Sequence, residues 1–190
     1  MTRILDLILA VCGLVVSLPL LVAILAFGYL DTGLPIFRQT RVGRHQRPFV
    51  LLKFRTMRPD APHVASHLAD AAAITRLGGF LRRTKLDELP QLWNVLTGDM
   101  SLVGPRPCLF SQQELIEERA QRGVYEARPG ITGLAQVSGI DMSTPRLLAE
   151  TDRRMLDDLG LKNYFRYLFL TVAGRGGGDR VRNSGRPDPG

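Results

Sequence analysis

Residues 7–30 read LILAVCGLVVSLPLLVAILAFGYL, a run without one charged side chain, and how this run is housed decides the architecture. As a helix rising 1.5 Å per residue it is about 36 Å long, enough to cross a hydrocarbon core of roughly 30 Å. It is longer than the apolar stretch of a signal peptide, and Ser17-Leu18-Pro19 interrupts it midway. Pro19 has no N–H, so the carbonyl of Val15 loses its helical donor and a kink is expected there. The hydroxyl of Ser17 can return to the carbonyl of Gly13, which lowers the cost of a break inside lipid.

Charge on either side of the run limits its topology. Arg3 precedes it; Arg38, Arg41, Arg44, Arg47, Lys53, Arg55 and Arg58 follow it, with no acid between Thr32 and Pro59. The positive-inside rule puts the basic stretch in the cytoplasm, and Arg3 prefers the same side. A helix broken halfway, with arms of about 15 Å, meets both demands by entering and leaving one leaflet. A single span with the N-terminus outside is the rival, and these residues leave the two open.

The full chain has 190 residues, room for one domain of ordinary size. Hydrophobic content of 45% and charged content of 23% exclude a wholly disordered chain. Twenty-five Lys and Arg against 18 Asp and Glu leave a net charge of +7, which favours acidic partners: phosphates, anionic lipid or nucleic acid. Nucleic acid fits poorly, because the aromatics are not interleaved with the cations as stacking platforms would require. Cys12 and Cys108 make no disulfide framework, so a reducing compartment is the default. His45, His63 and His67 lack cysteine partners at ligand spacing, which removes a His/Cys metal cluster.

Beyond the anchor, 34–39 and 48–54 read as short strands joined through Gly43. Helices are expected over 63–83 (loosened by Gly78-Gly79), 86–96, 111–122 with Glu117 and Glu118 facing water, 146–159 and 161–172. The last carries Tyr164, Phe165, Tyr167 and Phe169 beside Lys162 and Arg166, which suits either a membrane-surface helix or a core helix. The Gly/Arg/Pro segment 174–190 has little to bury and reads as a disordered tail.

Three clusters bear chemistry. In Arg82-Arg83-Thr84-Lys85-Leu86-Asp87-Glu88-Leu89-Pro90, Pro90 belongs in a first helical turn, which makes Asp87 the expected N-cap. Acids there suit a plain capped helix. The same geometry favours phosphate oxygens, and paired acids could hold Mg²⁺ or attack phosphorus. In Gly98-Asp99-Met100-Ser101-Leu102-Val103-Gly104-Pro105-Arg106-Pro107, two prolines fix the backbone around Arg106 and present its guanidinium at low entropic cost. Arg128-Pro129-Gly130-Ile131-Thr132-Gly133 is a further stiff turn with a cation. Each alone also occurs in ordinary loops.

Together they resemble the bacterial sugar transferase family, the monotopic phosphoglycosyl transferases. The resemblance begins at the broken apolar helix and passes through Phe37-Arg38-Gln39-Thr40-Arg41-Val42-Gly43 and Lys53-Phe54-Arg55-Thr56-Met57. It continues over Leu86-Asp87-Glu88-Leu89-Pro90-Gln91, Asn94-Val95-Leu96-Thr97-Gly98-Asp99-Met100-Ser101 and Val103-Gly104-Pro105-Arg106-Pro107. It closes with Arg128 through Gly139, so it covers most of residues 1–139 in order.

The resemblance implies an α+β fold, mostly helical with small strand content. Its parts would be a re-entrant membrane helix (1–30) broken at Ser17–Pro19, an interfacial catalytic domain with amphipathic helices (31–173) and the tail (174–190). It implies transfer of a sugar 1-phosphate from a UDP-sugar to polyprenol phosphate, with release of UMP, through a phosphosugar on aspartate. The setting would be the cytoplasmic face of the bacterial inner membrane, at the first membrane step of a glycan pathway that feeds downstream glycosyltransferases. Asp87 is similar to the family's nucleophile and Mg²⁺ ligand, and Glu88 to its partner acid. Arg82, Arg106, Lys53, Arg55 and Arg128 form the implied phosphate- and nucleotide-binding set. The chain departs from the family at Ile140-Asp141 and at Asp152-Arg153-Arg154-Met155. A rival function from another class is a non-catalytic, membrane-tethered module whose stretch from Arg38 to Arg58 holds anionic lipid.

Overall fold

The computed structural model describes residues 2–61 and 71–176. Most of the expected tail, and the first part of the helix expected over 63–83, lie outside them. The apolar run becomes one helix, α1 (Thr2–Thr32), assigned without a gap through Pro19. Ser17–Pro19 is therefore not a break between two separate helices: a single missing N–H removes one bond, and the turns on either side keep theirs. The hydroxyl of Ser17 does donate to the carbonyl of Gly13, at 2.6 Å. Gly33, at φ +71°, takes the left-handed turn that stops the helix, its N–H on the carbonyl of Tyr29.

One stripe of α1 faces the rest of the molecule along its whole length. Arg3, Asp6, Ala10, Gly13, Ser17, Leu21, Ile24 and Gly28 are buried or half-buried at spacings of three and four. Ala10 joins a core of Phe49, Leu51, Val95, Met100, Leu102, Val103, Met155, Tyr164 and Tyr167. Further along, Ile24 joins a second cluster with Phe54 and Leu81. The opposite face, including Ile8, Val15, Val16, Val22, Phe27 and Leu30, is exposed.

Strands β1 (Ile36–Val42) and β2 (Pro48–Phe54) form an antiparallel hairpin that pairs Phe37 with Lys53, Gln39 with Leu51, and Arg41 with Phe49. The first strand runs three residues beyond the expected 34–39 because Val42 pairs with Pro48. The expected helix over 63–83 is corrected in its described part. Ala71–Ala73 is a single 3-10 turn and Ile74 bridges to Met57, so α2 spans only Arg76–Thr84, capped by the Thr75 hydroxyl on the Gly78 N–H. Gly78 is a contact point rather than a loosened turn: a Cβ there would lie 2.0 Å from the carbonyl oxygen of Thr56.

The expected helix over 86–96 is divided too. Lys85 ends α2 at φ +58°, Leu86–Glu88 makes one 3-10 turn, and α3 spans Gln91–Thr97. Pro90, not Asp87, holds the N-cap position of α3, and Asp87 sits inside the preceding turn. The αL residue re-aims the chain before a new helix starts, which spacing does not reveal.

Two three-residue strands, β3 (Ser101–Val103) and β4 (Gly130–Thr132), pair in parallel. Their loops touch so closely that a Cβ on Gly130 would lie 2.0 Å from the amide nitrogen of Gly104. The remaining helices are α4 (Gln113–Gln121), the short α5 (Leu134–Val137), α6 (Pro145–Asp157) and α7 (Leu161–Val172). Helix α7 divides its aromatics, burying Tyr164 and Tyr167 in the core while Phe165 and Phe169 stay exposed.

Candidate active site

The turn between α2 and α3 places two adjacent carboxylates in different surroundings. Asp87 is buried. Glu88 forms an ion pair with Arg106, its Oε1 2.9 Å from Nη2. Arg106 lies on the loop after β3, so the first two sequence clusters meet through this pair. The third meets them through backbone, with the Gly130 N–H on the Pro105 carbonyl at 2.9 Å.

Arg106 lines an open cleft of about 300 Å³ together with Arg41, Lys53 and Gln91. Three of these four side chains are cationic, a setting that suits phosphate oxygens. Arg41 and Lys53 reach it because the hairpin register sets Phe37, Gln39 and Arg41 on one face with Phe49, Leu51 and Lys53 opposite. Arg38, one residue out of phase, is exposed. Gln91, in the first turn of α3, connects the cleft to the carboxylate turn.

Arg82 donates from Nε to the Thr56 hydroxyl at 2.8 Å, and its buried Nη1 has no hydrogen-bond partner among the described residues. A buried, unpartnered guanidinium nitrogen is costly unless a ligand oxygen meets it. Lys85 lies close by: burial pushes its pKa below the ordinary lysine value, Arg106 pushes the same way, and Glu88 opposes them.

Two expected members serve elsewhere. Arg128 donates to the carbonyl of Gly98 at 2.8 Å, bracing the C-terminal end of α3, and no described contact ties it to the carboxylate turn. Arg55 donates to the Leu34 carbonyl at 2.8 Å and stacks on the Phe37 ring at 5.3 Å, which Lys53 also approaches at 5.6 Å. Sequence reasoning missed Arg41 and Gln91 as cleft residues. Period-two alternation along β1 was the available signal for Arg41, since it shares a face with Gln39.

Among the described residues no three His, Cys, Asp or Glu side chains gather into a metal cage. A pair of carboxylates beside a cationic cleft nevertheless suits Mg²⁺, which takes one or two carboxylates and fills its shell with phosphate and water oxygens. With Glu88 turned to Arg106, the donor expected to hold such an ion is Asp87.

A sequence model of the family described as bacterial sugar transferase matches residues 1–175. The chain is similar to the UDP-glucose:undecaprenyl-phosphate glucose-1-phosphate transferase of Caulobacter vibrioides, 44% identical over 164 residues. That alignment covers 79% of this chain and 61% of the relative. Similarity to an uncharacterized sugar transferase of Bacillus subtilis is 38% over 171 residues, covering 90% of this chain and 84% of that one. The UDP-glucose:undecaprenyl-phosphate glucose-1-phosphate transferase of Escherichia coli is 42% identical over 179 residues, 88% of this chain but 38% of its own length. The chain thus spans less than two thirds of the Caulobacter and Escherichia relatives' own length.

Proposed function

The chain belongs to the bacterial sugar transferase family, and from that premise we propose that it moves a sugar 1-phosphate from a UDP-sugar to polyprenol phosphate, with Asp87 as nucleophile. The observation that carries this reading is the Glu88–Arg106 ion pair, which joins the carboxylate turn to a cleft lined by Arg41, Lys53 and Arg106. A carboxylate approaches a pyrophosphate only where cations offset the repulsion, and the cleft supplies three of them.

The Asp87 carboxylate attacks the phosphorus that bears the sugar, and the bond from that phosphorus to the bridging oxygen breaks. UMP leaves with the bond's electron pair, and a sugar phosphate remains on the aspartate. An oxygen of polyprenol phosphate then attacks the same phosphorus and displaces the Asp87 carboxylate, giving a polyprenol diphosphosugar for downstream glycosyltransferases. Arg106 and Lys53 steady the phosphate oxygens, and the buried Nη1 of Arg82 gains an acceptor. Mg²⁺, held by Asp87, would neutralise pyrophosphate charge when bound.

The membrane arrangement in this reading is monotopic. Both halves of α1 pack on the same body, Asp6 and Ala10 at one end and Ile24 at the other, while the far face is apolar and exposed. That supports an anchor whose two ends both stay on the cytoplasmic face, with the cleft at headgroup depth. The rival lipid-binding module is disfavoured because Arg41 and Lys53, two cations of its strip, are buried.

The test uses UDP-sugar labelled at the phosphorus bearing the sugar, without lipid acceptor. Magnesium-dependent UMP release and labelled protein are expected, with both lost in Asp87→Asn. Full labelling of that variant would exclude Asp87 as nucleophile. UMP release only when acceptor is present would favour direct transfer.

A further inference from the structure

The loop that carries Arg106 has two prolines without N–H groups, so it has few donors with which to fix itself. It is held instead through four successive carbonyls. Pro105 accepts from the Gly130 N–H at 2.9 Å, Arg106 from Arg119 Nη1 at 2.8 Å, Pro107 from Arg41 Nη1 at 3.2 Å, and Cys108 from the Val42 N–H at 3.0 Å. Two of these donors are main chain, and Arg41 itself lines the cleft. Arg119 does not: it lines a separate recess of about 220 Å³ that shares only Pro107 with the cleft.

Arg119 is only 1% exposed, and its remaining nitrogens are committed. Nε and Nη2 both donate to Oδ2 of Asp152, at 2.9 and 2.6 Å. Burial alone would lower the pKa of Arg119, but Asp152 first, with Cys108 and Tyr125, more than reverses this, so the guanidinium stays charged. A buried ion pair of this kind adds little to stability compared with apolar side chains of similar volume. Its geometric consequence is definite: α6 aims the Arg119 fork, and the fork fixes the carbonyl of Arg106.

We propose that Arg119, aimed by Asp152, is a positioning residue that sets Arg106 against Glu88 for the transfer reaction. This deepens the proposed function, and its kinetic arm rests on it. Removing the hold lets the Arg106 backbone shift, and a displacement near 1 Å at a catalytic site costs about 100-fold in rate.

The test replaces the pair by apolar residues in the full chain, R119M/D152L, so that no unpaired charge is left buried. The expected variant melts within a few degrees of the wild type, exchanges amide hydrogens faster over residues 104–109, and loses about 100-fold in kcat/KM for UMP release. Adding R106A to it should cost nothing further, whereas R106A alone in the wild type is costly. Should the double variant unfold, R119K serves instead: lysine keeps the charge against Asp152 but lacks the fork, and the same three readouts are expected. Unchanged exchange over 104–109 in a folded variant overturns the positioning role whatever the enzyme does. So does an equal penalty for R106A in both backgrounds. A wild-type chain that releases no UMP from any of a panel of UDP-sugars, with or without polyprenol phosphate, sinks the proposed function, and the exchange comparison still decides the role of Arg119.

Discussion

The contrast between Asp87 and Glu88 shows how neighbouring carboxyls acquire different roles from their surroundings. Glu88 is held by Arg106 and Asp87 is buried in the turn before α3. Arg106→Ala is expected to lower UMP release about 100-fold, comparable to losing one preorganised donor at a charged transition state. Steady-state rates checked against unchanged thermal unfolding would establish it. Arg82→Lys should raise KM for the UDP-sugar, because lysine cannot bond the Thr56 hydroxyl and present a second nitrogen in a fixed fork. Unaltered KM would remove Arg82 from the phosphate contacts. The acid pair and Arg106 were legible from sequence because Pro and Gly punctuate them. The αL turn at Lys85 was not, and it is the reason Asp87 lies inside a 3-10 turn instead of capping a helix.

Helix α1 docks through polar groups at its start. Asp6 accepts from the Ser101 hydroxyl at 2.9 and 3.0 Å, from the Leu102 N–H at 3.0 Å and from the Tyr164 hydroxyl at 2.8 Å. Arg3 adds bonds to the carbonyls of Met100 and Leu96. Asp6 thereby ties the apolar helix to β3, the strand that leads into the Arg106 loop, and to α7. Tyr164→Phe is expected to cost about 1.5–3 kcal/mol, the range for a buried hydrogen bond to a charged acceptor, read as the thermal unfolding shift in detergent. Burial first, and the neighbouring Asp6 second, push the Tyr164 pKa above its ordinary 10.0. Its contribution is therefore fully present below pH 10 and fades only as pH climbs through the higher folded value. Equal unfolding shifts between wild type and Tyr164→Phe at pH 7 and pH 9.5 are the expected result. The apolar length of α1 was plain in the sequence; that Asp6 would be satisfied by residues near 101 and 164 was not.

For the molecule entire, the arrangement of α1 along the domain carries a topological prediction. Tags at Met1 and at the C-terminus should be equally accessible to protease in sealed vesicles, because the proposed monotopic arrangement keeps both ends of α1 on one side. Protection of one end alone would establish a single span. The long apolar run, the excess of cations after it, and the Pro-bounded Arg106 are properties of neighbouring residues, and local spacing was enough to read them. Which cations converge is another matter. Arg41, Lys53 and Arg106 meet only because a hairpin register and a parallel pairing of β3 with β4 fold distant segments together. Arg128 stood as well placed as Arg106 in the sequence, yet it braces Gly98. Arg119 carried no signal at all, and it holds the loop. Spacing along the chain encodes backbone geometry within a few residues, whereas a distance between segments is set by the packing that closes the core.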